Sequence, residues 1–279
     1  MVSSKAVWYP LALPRTLVPS RRRPPPALAL LALLLCPSPA SSVEPARKRD
    51  LADHILRATV QIRNVNERGS GTVIASVDGE TLILTASHVV HGATRLKVEI
   101  HRHNASSAPI GLTEGPDWPK LLPATLISDD PDADVALLRV RGMVALPHVA
   151  RLDLDAQEPQ IDEPVSSVGI DRALHLNRWQ TSVKSTAMID LDKGAGPRLF
   201  TLTARSPEHG RSGGGLFRAD GSLIGVCTGQ LHAKKHPTTG VFASLANIKH
   251  LLETHKINPS VLQPAKAPAP VRPAATKSR

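Results

Sequence analysis

Three short segments carry residue types suited to covalent catalysis. Thr85-Ala86-Ser87-His88-Val89-Val90 puts a histidine just after a strand-like run, and Asp132-Ala133-Asp134-Val135-Ala136-Leu137-Leu138 opens an apolar run with an acid. Gly210-Arg211-Ser212-Gly213-Gly214-Gly215-Leu216 sets a serine among glycines. A serine hydroxyl is a weak nucleophile and needs a base to take its proton. Histidine suits that task because it titrates near neutrality. The imidazole must keep one tautomer and then carry positive charge, and a buried carboxylate serves both needs. The oxyanion that follows attack needs backbone N–H donors aimed at it. Glycines beside the serine let the backbone turn sharply and approach a substrate. The residues therefore predict Ser212 as nucleophile, His88 as general base and acid, and Asp134 as the group that orients His88. The N–H groups of Gly210 and Ser212 are the expected oxyanion donors.

Other readings of these residues are weaker. Asp132 competes with Asp134, but it falls in the turn Asp129-Asp130-Pro131-Asp132, whereas Asp134 directly precedes the apolar run. His88 and His91, with His101 and His103, suggest metal ligation. No cysteine or carboxylate completes a site at ligand spacing, so no metal and no cofactor are expected. Asn104-Ala105-Ser106 is a glycosylation sequon of a kind that arises often by chance.

The elements that must position these residues read as short strands. Thr59–Arg63 alternates in polarity, and 72–77 and 81–85 are joined by Asp78-Gly79-Glu80, a strong hairpin signal. Further strands are expected at 94–101, 122–128, 134–140, 164–169, 178–185, 198–204, 214–218, 222–228 and 241–244. Residues 102–121 read as a long loop. Residues 50–58 look like a short amphipathic lead-in. Leu245 to His255 is the one convincing helix, with Leu245, Ile248, Leu251 and Leu252 on one face. Many short strands with turns between them suggest a sandwich or a pair of barrels.

With these segments together, the chain resembles the trypsin-like (chymotrypsin-fold) serine proteases, in the order His, Asp, Ser. The bacterial HtrA/DegP-like subgroup is the most similar in motif. Gly69-Ser70-Gly71-Thr72-Val73-Ile74 resembles its strand before the histidine, and Glu163-Pro164-Val165-Ser166-Ser167-Val168-Gly169 its mid-domain strand. Leu223-Ile224-Gly225-Val226 and Gly240-Val241-Phe242-Ala243 resemble the two strands after the serine. The resemblance spans residues 53–256. It implies an all-β fold of two six-stranded antiparallel β-barrels with a C-terminal helix. It also implies that Thr228 and Gly229 lie on the strand that pairs with substrate backbone. By the same analogy Ser206 lies near the base of the P1 pocket, with Val241 and Ala243 as walls. No acid stands at Ser206, so a small or medium apolar P1 residue is expected. One departure is plain: the serine motif reads Ser-Gly-Gly-Gly, where the family has proline last. The resemblance is to the protease domain alone, and no PDZ domain is expected.

Composition bounds the rest. The 279 residues are 41% hydrophobic but only 3% aromatic, so the core must be aliphatic. The formal charge is +10, yet residues 1–40 contribute five cations without an acid and residues 260–279 contribute four. Removing both ends leaves +1 for residues 41–259, which argues against a basic nucleic-acid-binding face in the domain. Arg21-Arg22-Arg23, the short apolar run Ala27 to Cys36, and Ser38 with Ala40 resemble a signal peptide, in a run too short to span a bilayer. The expected layout is a leader at 1–40, a linker at 41–52, the protease domain at 53–256 and a Pro/Ala/Lys tail at 257–279. If the leader is removed, Cys227 has no disulfide partner and reads as a small buried apolar residue. The expected activity is that of a secreted or periplasmic serine endopeptidase acting on polypeptides. The alternative is a catalytically silent binding protein of the same fold. Oligomeric state is not legible.

Overall fold

A computed structural model describes residues 43–258, apart from 66, 107–109, 111–114, 192–193, 195 and 232–238. The expected leader, most of the tail and part of the 102–121 stretch lie outside the described residues. Thirteen strands and four helices are present among them.

The first barrel uses β1 (Thr59–Arg63), β2 (Arg68–Val77), β3 (Glu80–Thr85), β4 (Leu96–Ile100), β5 (Lys120–Asp130) and β6 (Val135–Arg141). These close in the order β1-β2-β3-β6-β5-β4, with β1 pairing back onto β4. The second barrel uses β8 (Pro164–Asp171), β9 (His175–Ile189), β10 (Arg198–Thr203), β11 (Gly215–Arg218), β12 (Ser222–Leu231) and β13 (Thr239–Ser244). It runs β11-β8-β9-β10-β13-β12 and closes through β11 with β12. A two-residue strand, β7 (Arg151–Leu152), adds in parallel to the outside of β12.

Period-two alternation explains why several strands are apolar on both faces. On β3 and β6, Ile83, Ala136, Leu138 and Val140 point into the first barrel with Val60, Ile62 and Val73. Their neighbours Leu82, Leu84, Val135 and Leu137 point outward into a second cluster shared with Val168, Phe200, Phe217 and Val226 of the other barrel. The helix α4 (Leu245–Thr254) docks on that shared cluster through Ile248, Leu251 and Leu252. Its N-terminus is capped by Ser244, whose side chain accepts from the Asn247 N–H.

Two sequence expectations need correction. The span 41–52 is not a simple linker, because α1 (Val43–Arg57) runs through it. Most of its residues are polar, so periodicity conceals it. Its anchors are Leu51, which packs on Gly221, and Ile55, which enters the shared core. Arg57 also anchors the helix by donating to the carbonyls of His103 and Ser106. The stretch 102–121 is not all loop, since it holds α3 (Arg102–Ala105) and the start of β5. Asn104 of the sequon is fully buried and donates to the carbonyls of Arg57 and Thr59, so its amide is inaccessible in the folded chain. Cys227 is a buried free thiol, and burial pushes its pKa up to about 12.

Candidate active site

The pairing of β3 with β6 sets Thr85 opposite Ala136. One turn beyond Thr85 is α2 (Ser87–Val90), which carries His88. Two residues before Ala136 is Asp134. The ladder thus forces the two side chains together. His88 Nδ1 lies 2.9 and 3.0 Å from the two Asp134 carboxylate oxygens, and the His88 backbone N–H donates to Oδ1 at 2.9 Å. The Asp134 side chain is 5% exposed and that of His88 45%. A buried acid therefore grips a ring that is itself partly exposed. Asp134 adopts φ +51, a left-handed conformation that aspartate tolerates better than bulkier residues. Asp130 prepares that turn by accepting from the N–H groups of Asp132 and Ala133 at 3.1 and 3.0 Å. The acid that meets His88 Nδ1 is Asp134. His91 turns instead to Asp129, at 2.5 Å. Among the described residues no trio of His, Cys, Asp or Glu is arranged to hold a metal.

Ser212 lies on the second barrel, on the loop before β11. A cleft of about 950 Å³ is lined by both His88 and Ser212, with Val89, Glu208, His209, Gly210, Thr228, Gly229 and Gln230 among its walls. The first barrel clamps this loop through the Gly69-Ser70 segment. Ser70 N–H donates to the Ser212 carbonyl at 2.7 Å, and Ser70 Oγ donates to the Gly210 carbonyl at 2.8 Å. Thr85 Oγ1 fixes Ser70 in turn by donating to its carbonyl at 2.7 Å. A side chain at Gly69 would strike Val89 and the Ser212 carbonyl, so only glycine allows this approach.

The loop N–H groups divide into two sets. Arg211 N–H donates to Glu208 O at 3.2 Å, Gly213 N–H to Cys227 O at 2.7 Å and Gly214 N–H to Arg211 O at 2.8 Å. Those of Gly210 and Ser212 have no protein acceptor among the described residues. Gly210 has φ +88 at the third position of the Glu208–Arg211 turn, the type II geometry that requires glycine. Gly215, the departure from the family motif, has a local cause. The Phe217 ring lies 2.4 Å from where its Cβ would be, so a proline there would clash.

The expected substrate contacts divide as well. Thr228 and Gly229 line the cleft at a bulge of β12, where Gly229 has φ +151. Ser206, Val241 and Ala243 are not among the lining residues. Val241 and Ala243 pack into the shared core, and Ser206 reaches the cleft only through Gln230, to which it donates at 2.5 Å. Alternation on β13 turns the Val241 and Ala243 side chains toward that core. Sequence reasoning also passed over Ser70, Gln230 and the buried ion pair of Arg211 with Asp171. Only Ser70, inside a noted motif, carried a usable signal.

Residues 69–226 match the family model described as the trypsin-like peptidase domain. The chain is 26% identical over 165 residues to the serine protease Do-like HtrA of Bacillus subtilis, covering 57% of this chain and 32% of that protein. It is 27% identical over 161 residues to the serine endoprotease DegS of Escherichia coli K12, covering 57% of this chain and 39% of that one. The chain thus spans well under half the length of these curated relatives. The fold is similar to that of Rv3671c from M. tuberculosis in an inactive form, with TM-score 0.55, 21% identity, and 85% of this chain and 100% of that one covered. With the matched span exceeding half of the sequence and the two-barrel architecture agreeing with it, the chain belongs to the trypsin-like peptidase domain family.

Proposed function

We propose that the protein is a serine endopeptidase that cuts polypeptides through Ser212, His88 and Asp134. One observation carries the reading: a single cleft holds Ser212 together with His88, whose Nδ1 already rests on a buried carboxylate. In the first half-reaction Ser212 Oγ attacks the scissile carbonyl carbon, and its proton passes to His88 Nε2. Asp134 stabilises the imidazolium through Nδ1. The N–H groups of Gly210 and Ser212, free of protein acceptors among the described residues, receive the oxyanion. Collapse breaks the C–N bond, and His88 returns the proton to the departing amine. Water, deprotonated by His88, then attacks the Ser212 ester, and His88 returns that proton to Ser212 Oγ as the acyl–oxygen bond breaks and the carboxylic acid leaves. The bulge at Thr228 and Gly229 offers backbone groups for an extended substrate strand. The leader-like residues 1–40 support a secreted or periplasmic location.

The competing reading is a silent binder with the same fold. Its motive, the unusual Gly215, is met by the packing of Phe217. Labelling of the purified protein with a fluorophosphonate probe tests the proposal. Ser212 Oγ displaces fluoride from phosphorus while His88 takes the hydroxyl proton, and both residues must be present. Labelling is expected in the wild type and absent in Ser212→Ala. Labelling that persists in Ser212→Ala, or folded wild type that stays unlabelled between about pH 6 and 9, where a histidine base is competent, overturns it.

A further inference from the structure

Arg211 immediately precedes the candidate nucleophile and is fully buried. A guanidinium without partners in that position would be strongly destabilising. Four of its five N–H bonds point at named acceptors. Nε and Nη2 donate to the two Asp171 oxygens, each at 2.8 Å, in a bidentate fork. Nη1 donates to Ser167 Oγ at 3.2 Å and Nη2 also to Asn177 Oδ1 at 2.9 Å. Asn177 Nδ2 donates back to Asp171 at 2.7 Å, so the acceptor is itself held. The guanidinium stands 4.9 Å from the Trp179 ring centroid. Gly169 leaves the space through which the Arg211 Cγ passes. Every anchor belongs to β8 or β9.

The same hairpin grips the turn from its other end. Asp171 leads into Arg172, whose N–H donates to the His209 carbonyl at 2.6 Å. The alternative turn, with negative φ at Gly210, would rotate the His209–Gly210 peptide by about half a revolution. That rotation takes the Gly210 N–H out of the cleft and removes the His209 carbonyl from Arg172. Arg211 fixes one end of the turn and Arg172 the other, and Asp171 connects the two.

We infer that Arg211 is a positioning residue: its ion pair with Asp171, supported by Asn177 and Ser167, holds the Glu208–Arg211 turn in the form that presents Gly210 N–H to the cleft. The inference rests on the reading of that N–H as an oxyanion donor. Arg211 touches no reacting atom and acts through the turn alone.

The test compares Arg211→Met, Arg211→Lys, Asn177→Ala and the double variant Arg211→Met with Asp171→Leu. Fluorophosphonate labelling is read as a rate constant and a probe affinity across pH. Amide exchange of residues 209–214 is read beside that of β10. Arg211→Met is expected to slow labelling about 100-fold, the usual cost of losing one oxyanion donor. The pH midpoint stays in place, because His88 and Asp134 are held by the other barrel. Arg211→Lys and Asn177→Ala retain part of the network and fall between. The double variant, with the charges replaced by apolar groups, regains thermal stability but stays slow. A folded double variant that labels within about threefold of wild type makes the network merely structural and overturns the inference; this limit is set against the same donor cost. If wild type itself does not label, the catalytic reading fails and amide exchange still decides this one. Faster exchange at 209–214 in Arg211→Met, with β10 still protected, supports the inference, and unchanged exchange overturns it. Should Arg211→Met fail to fold, the double variant and Asn177→Ala carry both readouts.

Discussion

In the first barrel, the proton-handling pair is set by the ladder. Thr85 pairs with Ala136, and His88 and Asp134 follow from that register with no side chain between them. In the second barrel, Ser212 stands on an irregular loop outside any ladder. Besides backbone bonds such as Ser70 N–H to Ser212 O, its geometry depends on buried side chains: Arg211 on Asp171, Ser70 on Gly210, and Thr85 on Ser70. A ladder tolerates changes in side chains because its bonds are made by the backbone. A loop held partly by side chains is sensitive to each of them. The two halves should therefore fail differently when perturbed.

The largest effect is expected in the first half. Asp134→Asn keeps the shape but offers the His88 Nδ1 side the wrong partner, and should lower probe labelling about 10⁴-fold with the fold intact. Circular dichroism checked beside the labelling rate separates this from unfolding. Gly213→Ala strikes where the halves meet. Its Cβ would lie 2.1 Å from the Ser70 carbonyl and 2.2 Å from Thr85 Oγ1, at a φ of +86. The clamp must open, with a loss of several kcal/mol in urea denaturation. Ser70→Ala is milder. It removes the acceptor of the Ile170 N–H and the donor to the Gly210 carbonyl. A cost of about 1–3 kcal/mol is expected, with slower labelling but no shift in its pH midpoint.

Acid should weaken the first barrel. Burial, with Arg63 nearby, lowers the pKa of His101 to about 4 from an ordinary 6.5. Between those values the unfolded chain binds the proton and the folded chain does not, so stability falls as pH drops from about 6.5 to about 4, by about 3 kcal/mol at most. Glu99 works against this. Burial raises its pKa above 4.5 despite Arg63 and Arg68, so its contribution is present at low pH and lost as pH rises. The 3.4 Å contact of His101 with Glu99 is thus one between groups that burial drives toward neutrality, although its geometry would suit an ion pair. Urea midpoints measured against pH should steepen in Glu99→Gln and flatten in His101→Phe. The smallest effect is at Cys227. Its thiol, buried and raised to about 12, should resist iodoacetamide in the native protein and react only after unfolding.

The strands were legible because their apolar alternation is local, and Asp78-Gly79 marked its hairpin outright. The hairpin between β8 and β9 carried no such mark. Arg172 and Ala173 adopt φ +52 and +57 there without a glycine or asparagine. Their conformation is set by contacts with the 207–210 loop, including the hydrogen bond from Arg172 N–H to His209. The helix α1 was missed in part because its stability rests on a few anchors, not on a stripe. That Val241 and Ala243 face the shared core was not legible, because the direction of a strand face depends on register.

The sequence by itself determined the candidate chemistry and the order of its parts. Residue types report what a side chain can do, and glycines around Ser212 report a backbone that must bend. It also determined the two-barrel class, through the family motifs. Only the tertiary structure decided which side chains hold the loop. Asp171 lies forty residues from Arg211, and nothing local to either predicts the pair. A buried charge is stable only where folding brings it a partner, and that is a property of the closed second barrel.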